Sequence, residues 1–233
     1  MKNKKIALLL FKIKFLKYRI ISSIIKKKLK KNSTFTEFKN ITAKKDFSTY
    51  WFLNNYKIFG NFLPSDLEKK FKYLEIGSFE GMSALFVINF WKNSNVTCID
   101  TWETSGDKSQ VLNYNFENVE RKFDHNLKNY SHTKIKNSST TALKDLKANN
   151  SFFDFVYIDG SHNGIDVYND AKASFEILNN NGIIIFDDII NIYDSIEIQP
   201  HNAFEKFYEI NKKKIKILYL KNIAVVQKIN SEL

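Results

Sequence analysis

The sequence predicts an α/β fold in which a doubly wound, mostly parallel sheet finishes with an antiparallel strand. From residue 72 onward, short apolar runs alternate with helical patterns of roughly ten residues or more, as in parallel sheets with crossover helices. Near the C-terminus, two apolar runs at 215–220 and 223–228 are separated only by Lys221 and Asn222, which predicts a hairpin. The stretch YLEIGSFEGMS at 73–83 places a glycine turn between a strand and a helix, where ligands are often held.

The predicted elements follow one another in a regular order. The first strand, 72–76, is the apolar run before the glycine turn, and a helix at 82–91 begins directly after that turn. Further strands are predicted at 96–100, 133–136, 153–159 and 183–187, with helices between them at 115–130, 140–149 and 165–179. Because each helix connects two short buried runs, the sheet is expected to be parallel up to the C-terminal hairpin.

Two segments precede this α/β domain of residues 72–233. Residues 1–31 hold twelve basic residues and no acidic one, which leaves 24 of the 36 basic residues against all 25 acidic ones in the rest. The excess charge therefore belongs to one segment, and no nucleic-acid partner is expected. Residues 32–71 form an aromatic-rich helical cap, whose aromatic side chains either fill a core or line an acceptor pocket.

The first segment, 1–31, is predicted to be a basic amphipathic helix. Ile6, Leu9, Ile13, Leu16 and Ile20 recur at helical spacing, but lysines interrupt the run too often for a signal peptide or a membrane span. Such a helix either lies on an anionic membrane surface or packs on the body of the protein. The single Cys98 excludes an intrachain disulfide and fits a reducing compartment, so the expected location is cytoplasmic or peripheral at the inner face of a membrane.

The glycine turn favours a ligand that has no phosphate to clamp. Phe79 stands where a dinucleotide fingerprint has its second glycine, and Gly81 is not followed by the lysine of a phosphate-binding loop. The acidic Glu75 suits a cationic ligand, and S-adenosylmethionine carries an ammonium and a sulfonium. Asp100 ends the second strand about 20 residues later, where an acid binds ribose hydroxyls. The alternatives are that the turn only packs strand on helix and that Asp100 caps a loop.

Residues 46–228 resemble the class I S-adenosylmethionine-dependent methyltransferases, specifically methyltransferase family 24. The matching words are YLEIGSFEGMS, VTCIDTWE, RKFDHN, FDFVYIDGSHNGIDVYNDA and GIIIFDDI, in that order. The family's Pro-Gly-Gly before the fifth strand is Asn180-Asn181-Gly182 here, which is a mild departure. The resemblance implies a seven-stranded sheet with an antiparallel last strand. It also implies which residues bind the cofactor: Glu75, Gly77, Ser78 and Gly81 at the methionine part, Asp100 at the ribose and Ser138 near the adenine.

Carboxylates end the fourth and fifth predicted strands. Asp159, Asp187 and Asp188 would meet at one sheet edge, where like charges call for a cation, and Mg²⁺ prefers oxygen ligands. Some sugar- and catechol-type O-methyltransferases similar to this fold hold a metal on such carboxylates. Both Asp187 and Asp188 can be ligands only if the strand ends at 187, since side chains alternate along a strand. The alternatives are that these acids cap turns, or that Asp159 contacts the acceptor directly.

His162 lies in the loop after Asp159 and is a candidate general base, although a loop histidine can also be merely structural. Together these residues predict a methyltransferase, most simply one that O-methylates a hydroxyl of a sugar, glycan or other small molecule with help from a metal. N-methylation stays open within that class. The alternative is a non-catalytic module that binds an adenosine ligand and is tethered to a membrane or an acidic partner by residues 1–31.

Overall fold

A computed structural model of the chain describes residues 2–30, 35–103 and 115–229, and it contains a single sheet of seven strands. The strands are β1 Lys72–Ile76, β2 Asn95–Asp100, β3 Thr133–Lys136, β4 Phe153–Ile158, β5 Leu178–Phe186, β6 Ile215–Leu220 and β7 Ala224–Lys228. They lie in the order β3-β2-β1-β4-β5-β7-β6, with parallel pairing from β3 to β5 and antiparallel pairing of β7 with both β5 and β6. The predicted fold class, with its antiparallel last strand, is confirmed.

Nine α-helices are present in the described part of the chain. They are α1 Lys2–Lys14, α2 Leu16–Lys30, α3 Phe38–Thr42, α4 Tyr56–Gly60, α5 Met82–Phe90, α6 Phe116–Leu127, α7 Ser139–Ala148, α8 Gly164–Glu176 and α9 Pro200–Asn211. A 3₁₀ turn, Trp51–Asn54, precedes α4. The four predicted crossover helices correspond to α5, α6, α7 and α8, whereas α9 is not among the predicted elements. The single helix predicted at 1–31 is divided into α1 and α2 around Phe15.

Asn180-Asn181-Gly182, which precede the predicted fifth strand, form an irregular stretch within β5. The pairing of β4 with β5 jumps from Phe153–Leu178 to Phe155–Ile183, and Asn181 adopts a left-handed φ of 62°. The strand therefore starts earlier than predicted, and the Asn-Asn-Gly residues form a bulge in it.

Apolar side chains cover both faces of the sheet. Side chains alternate along a strand, so Tyr73 belongs to one core layer while Leu74 and Ile76 belong to the other. The aromatic residues of the cap fill the first layer, where Phe38 and Phe86 pack with ring centroids 4.9 Å apart. Most of the cap aromatics are thus core residues, as one of the two interpretations predicted.

The N-terminal helices pack on the body through one face. Phe11 of α1 and Phe15, which lies between α1 and α2, are each 1% exposed, and both rings pack against Phe204 of α9. In α2, the Ser22 hydroxyl accepts a hydrogen bond from the backbone N–H of Leu220 in β6. Within the described residues, no helix combines the length and apolar character needed to cross a membrane.

Candidate functional site

A cavity of about 680 Å³ opens at the carboxyl edge of the parallel strands. Its walls come from the cap between Phe47 and Asn55 and from the loops that follow β1, β2, β3, β4 and β5. Ligand sites of open α/β sheets lie at this edge, and the volume is typical of small-molecule sites.

The structure brings nearly all of the predicted site residues to this cavity. Those that line it are Gly77, Ser78, Asp100, Ser138, Asp159, His162, Asp187 and Asp188. Glu75 and Gly81 lie behind the lining: Glu75 is fully buried in β1, and Gly81 is the N-cap residue directly before α5. Motifs that are far apart in the sequence therefore line the same cavity, which supports a shared site.

The glycine turn depends on close backbone approach. Gly77 has φ +86°, and a Cβ there would lie 2.3 Å from the carbonyl oxygen of Asp159. Gly81 has φ +83°, and a Cβ there would meet the side chains of Phe123 and Leu127 rather than the cavity. Gly77 thus lets the loop after β1 touch the loop after β4, which places the turn beside Asp159.

Buried oxygen atoms without hydrogen-bond partners surround this turn. The Tyr73 hydroxyl donates to Glu75 Oε2 at 2.8 Å, but Glu75 Oε1, Ser78 Oγ and Glu80 Oε1 have no hydrogen-bond partner among the described residues, although Lys122 Nζ lies 3.9 Å from Glu80 Oε1. Burial raises the pKa of Glu75 to about 7, against the opposing effect of nearby hydroxyl groups. Since buried acceptors are normally satisfied, these atoms fit a ligand that brings N–H donors, such as the ammonium of S-adenosylmethionine.

Asp100 connects the loops after β1 and β2. Its carboxylate accepts from the backbone N–H groups of Phe79 and Trp102, both at 2.8 Å, and the Trp102 indole donates to the Phe79 carbonyl. Burial raises the pKa of Asp100, while hydrogen bonds from the backbone oppose that shift. Asp100 therefore does hold a loop, as the alternative interpretation proposed, and it also lines the cavity.

Ser138 lies at the start of α7 and lines the cavity, and the family resemblance predicts that it lies near the adenine. Its hydroxyl caps the helix by accepting from the Thr141 N–H at 3.3 Å, so that oxygen is already engaged with protein.

Asp170 of α8 was not among the residues predicted from the sequence. It is 3% exposed, lines the cavity, and has a pKa raised to about 7 by burial. A polar helix face with Asp166, Asn169 and Asp170 at i, i+3 and i+4 was the available signal.

Asp159 and Asp187 face each other across the Tyr157 hydroxyl. That hydroxyl lies 2.9 Å from Asp159 Oδ2 and also bonds Asp187 Oδ2, yet it has only one proton to donate. Burial and repulsion by Asp187 raise the pKa of Asp159 well above its ordinary value, while burial and repulsion by Asp188 raise the pKa of Asp187 to about 6. This pair needs a shared proton or a cation to balance its charge.

Asp188 is turned toward a different set of partners. β5 ends at Phe186 and Asp188 has φ +51°, so the extended alternation stops and both Asp187 and Asp188 line the cavity. The Asp188 carboxylate accepts from the Tyr193 hydroxyl at 2.7 Å and lies 3.5 Å from His162 Nε2. Burial alone would raise the pKa of Asp188, but these partners hold it below its ordinary value. The strand ending required for two ligands is therefore present.

The three aspartates have the oxygen chemistry that Mg²⁺ prefers. Across residues 2–30, 35–103 and 115–229, however, no three His, Cys, Asp or Glu side chains are placed so as to hold a metal ion. The reason is visible in their contacts, since Tyr157 stands between Asp159 and Asp187 while Asp188 is held by Tyr193 and His162. The carboxylates would have to rotate around a cation.

Comparison with known proteins identifies related sequences and folds. Residues 74–189 match a family model described as a methyltransferase domain, that of methyltransferase family 24. An uncharacterized protein, R132, of Acanthamoeba polyphaga mimivirus is 28% identical over 128 residues, which is 55% of this chain and 56% of that protein. The chain thus matches about half the length of this curated relative.

Solved structures share the fold at low sequence identity. The O-methyltransferase from Bacillus cereus in complex with SAH has a TM-score of 0.56 and 14% identity, with 93% of this chain and 100% of that chain covered. MycE, from the mycinamycin biosynthetic pathway, in complex with Mg, SAH and mycinamycin VI, has a TM-score of 0.56 and 14% identity, covering 84% and 55%. The calicheamicin methyltransferase CalS11 has a TM-score of 0.57 and 13% identity, covering 88% and 90%.

Proposed function

We propose that this chain, which belongs to the class I S-adenosylmethionine-dependent methyltransferases of methyltransferase family 24, methylates a hydroxyl oxygen of a sugar, glycan or other small molecule. The observation that carries the proposal is the meeting of two sets of residues in one cavity. The glycine turn and Asp100 line the same cavity as His162 and the three strand-end aspartates, and Gly77 lies directly beside Asp159. A cofactor cradle beside acid–base groups is the arrangement that methylation of a hydroxyl requires.

The cofactor would be held by residues of the first set. Glu75 and Ser78 offer acceptors for the ammonium, Asp100 offers its carboxylate to the ribose, and the start of α7 around Ser138 borders the adenine. S-adenosylmethionine supplies the methyl group when it is bound. The role of these residues is to fix its position relative to the acceptor, because well-oriented reactants can lower a barrier by roughly 7–11 kcal/mol.

The acceptor side of the cavity combines aromatic and amide groups. Trp51 is 51% exposed at the rim and packs against Phe79 with ring centroids 5.9 Å apart, while Asn54, Asn55 and Asn191 line the wall. Flat rings with nearby amides suit an acceptor that has both an apolar face and hydroxyls. The complex of MycE with mycinamycin VI supports a small-molecule acceptor on this fold.

His162 is the group proposed to take the proton from the acceptor. Its Nε2 lies 3.5 Å from Asp188 Oδ2, and its ring packs on Tyr193 with centroids 4.5 Å apart. Asp188 would orient the imidazole and balance its charge after protonation, as a carboxylate does beside a catalytic histidine. As the oxygen gains the methyl group, its proton would pass to His162.

Asp159, Asp187 and Asp188 are proposed to hold a divalent cation, most simply Mg²⁺. A bound cation would lower the pKa of the acceptor hydroxyl and orient its oxygen. Besides burial, repulsion by Asp187 raises the pKa of Asp159 and repulsion by Asp188 raises the pKa of Asp187, and this supports the proposal because a cation would relieve both repulsions.

We expect chelation to stop turnover while leaving cofactor binding intact. Labelled S-adenosylmethionine would be incubated with a panel of sugar, phenol and amine acceptors, before and after chelation and dialysis. Asp187→Asn should lower turnover at least about 100-fold, because loss of acid–base or metal assistance costs that much. Asp194→Asn changes an exposed aspartate of the same segment and is the matched control.

Each contrary result points to a different conclusion. Full turnover in excess chelator would exclude a requirement for a metal ion. Asp159 and His162 would then be assigned to direct contact with the acceptor. Methylation of amine acceptors alone would replace O-methylation by N-methylation. Cofactor binding without turnover on any acceptor would favour the non-catalytic binding module.

A further inference from the structure

The N-terminal helices carry a second apolar face that points away from the body. Eight large apolar side chains of α1 and α2 are each between 44% and 61% exposed: Ile6, Leu9, Leu10, Ile13, Leu16, Ile20, Ile21 and Ile24. The other large exposed apolar side chains of the described residues are scattered over the remainder of the chain. Single exposed apolar residues are ordinary, but a concentration of this kind marks an interaction surface.

These eight side chains form one continuous stripe. They recur at spacings of three and four residues along both helices. The backbone N–H of Phe15 bonds the carbonyl of Phe11, and that of Arg19 bonds the carbonyl of Phe15, both at 3.1 Å. These two bonds bring helical hydrogen bonding up to the division at Phe15 from both sides, and the exposed side chains of Ile13 and Leu16 lie on either side of it.

The opposite face of the same helices is already used. Phe15 packs against Tyr208 of α9 at 5.1 Å between ring centroids, and Ser22 accepts from the Leu220 N–H. An ordinary amphipathic helix has one apolar face, and that face covers the core. Here the core-facing side already packs on the protein, so the outer stripe faces away from it and would have to be covered by another molecule.

The charges beside the stripe indicate which occupant fits. Residues 1–31 hold twelve basic residues and no acidic one. Lys14 pairs with Glu205 and Glu209 of α9, but six lysines of the two helices are exposed around the stripe: Lys2, Lys5, Lys17, Lys26, Lys27 and Lys28. A second copy of the chain would bring two such basic surfaces together, which is unfavourable.

We propose that α1 and α2 form a docking surface for an anionic lipid bilayer, with the apolar stripe in the interface and the lysines at the lipid headgroups. Apolar side chains flanked by cations are the recognised requirement for a helix that lies in the membrane surface. The proposal goes beyond methyl transfer and needs no acceptor, so the two proposals can fail separately.

The test uses the full chain, because α1 and α2 are packed on the core and deleting them would expose Phe11 and Phe15. Sedimentation with phosphatidylcholine–phosphatidylserine vesicles would be compared with sedimentation with phosphatidylcholine alone, at low salt and above about 0.1 M salt. The double variant Ile13→Asp with Ile20→Asp changes two exposed side chains of the stripe. Ile210→Asp changes one that is 62% exposed on α9 and is the matched control.

We expect wild type and the Ile210 variant to sediment with anionic vesicles, less so as salt rises. The double variant should bind at least about tenfold more weakly, since it no longer buries two apolar side chains. Equal binding by the double variant, verified as folded by circular dichroism, would overturn the proposal. So would an absence of binding by wild type at low salt, or a dimer that only the double variant loses, which would assign the stripe to a second copy.

Discussion

At the scale of single residues, Glu75 is a buried strand residue that we propose to bind the ammonium of the cofactor. Its side chain is fully buried, and the Tyr73 hydroxyl satisfies one oxygen while Oε1 has no partner among the described residues. Burial disfavours the ionised form and raises the pKa of Glu75 to about 7. The charge of this carboxylate therefore changes within the physiological range of pH.

We expect Glu75→Gln to weaken cofactor binding about tenfold at about pH 8, the loss typical of a charge-assisted hydrogen bond. The wild-type carboxyl loses its proton as pH rises through about 7, so its affinity for the ammonium should increase from about pH 6 to about pH 8. The glutamine variant should show no such increase. Calorimetric titration with S-adenosylhomocysteine at both pH values measures this.

Glu117→Gln, which changes an exposed glutamate of α6, is the control for this experiment. If the Glu75 variant keeps the pH dependence of wild type, another group near the cofactor is responsible. Asp100 would then be the next residue to examine, because burial also raises its pKa.

At the scale of elements, the parallel strands could be predicted because they are short apolar runs buried on both faces. β1 and β4 lie close to their predicted positions, and Asp159 after β4 reaches the same cavity as the glycine turn after β1 because parallel strands share one carboxyl edge. α9 was missed because its start, Gln199-Pro200-His201-Asn202, has the composition of a loop. In the structure, Gln199 and Asn202 form a capping box, and Pro200 takes the first turn.

Other features depend on contacts that a sequence pattern does not contain. The wide apolar pattern of residues 1–31 does not show which face of the helices packs on the α/β domain. That face is determined by the contacts of α1 and α2 with α9 and β6. Glu80 was missed for a related reason. It is buried because the backbone N–H of Ser48, far away in the chain, donates to it and because Lys122 lies 3.9 Å away. Likewise, Asp170 is buried on α8, a helix that packs against α7.

The contact of α1 with α9 contains a buried titratable group, His201. It is fully buried, packs on Phe11 with ring centroids 5.6 Å apart, and has no hydrogen-bond partner for either ring nitrogen among the described residues. Burial lowers the pKa of His201. The folded state therefore keeps the ring neutral at pH values where the unfolded chain already binds a proton.

We expect this histidine to make folding weaker in acid. Its contribution is present above the ordinary histidine pKa of about 6.5 and is lost as pH falls below that value toward the lowered folded-state pKa. His201→Phe removes the effect, so its free energy of unfolding relative to wild type should increase by about 1 kcal/mol between about pH 7 and about pH 5.5. Urea denaturation at the two pH values measures the difference.

The exposed His125 of α6 provides the matched control, because His125→Phe removes a histidine that is not buried. This control should follow wild type at both pH values. An unchanged difference between His201→Phe and wild type across the same range would mean that the ring is protonated, or hydrated, in the folded protein.

At the scale of the whole molecule, the cavity joins parts of the chain that are distant in sequence. Cap residues Phe47 and Trp51 face the loops after β1 through β5 across it. The cap is not a loose addition to the sheet, since Phe59 packs on Tyr157 of β4 with ring centroids 5.0 Å apart. A ligand in the cavity therefore contacts both regions of a shared core.

This arrangement predicts that cofactor binding stabilises the cap and the sheet together. At a ligand concentration about 100 times the dissociation constant, binding to the folded state alone contributes about 2.7 kcal/mol. For a chain of this size, that corresponds to an increase in Tm of about 5–10 °C. Differential scanning calorimetry with S-adenosylhomocysteine should show one transition that moves as a whole.

The Asp100→Ala variant should lose most of this increase in Tm, because Asp100 lines the cavity and accepts from the backbone N–H groups of Phe79 and Trp102. The His162→Ala variant changes a residue on the proposed acceptor side and should retain the increase. If calorimetry instead shows two transitions and the ligand shifts only one of them, the cap and the sheet do not share a core, and the cap is an independent unit. A full shift in Asp100→Ala would instead remove that carboxylate from the cofactor site.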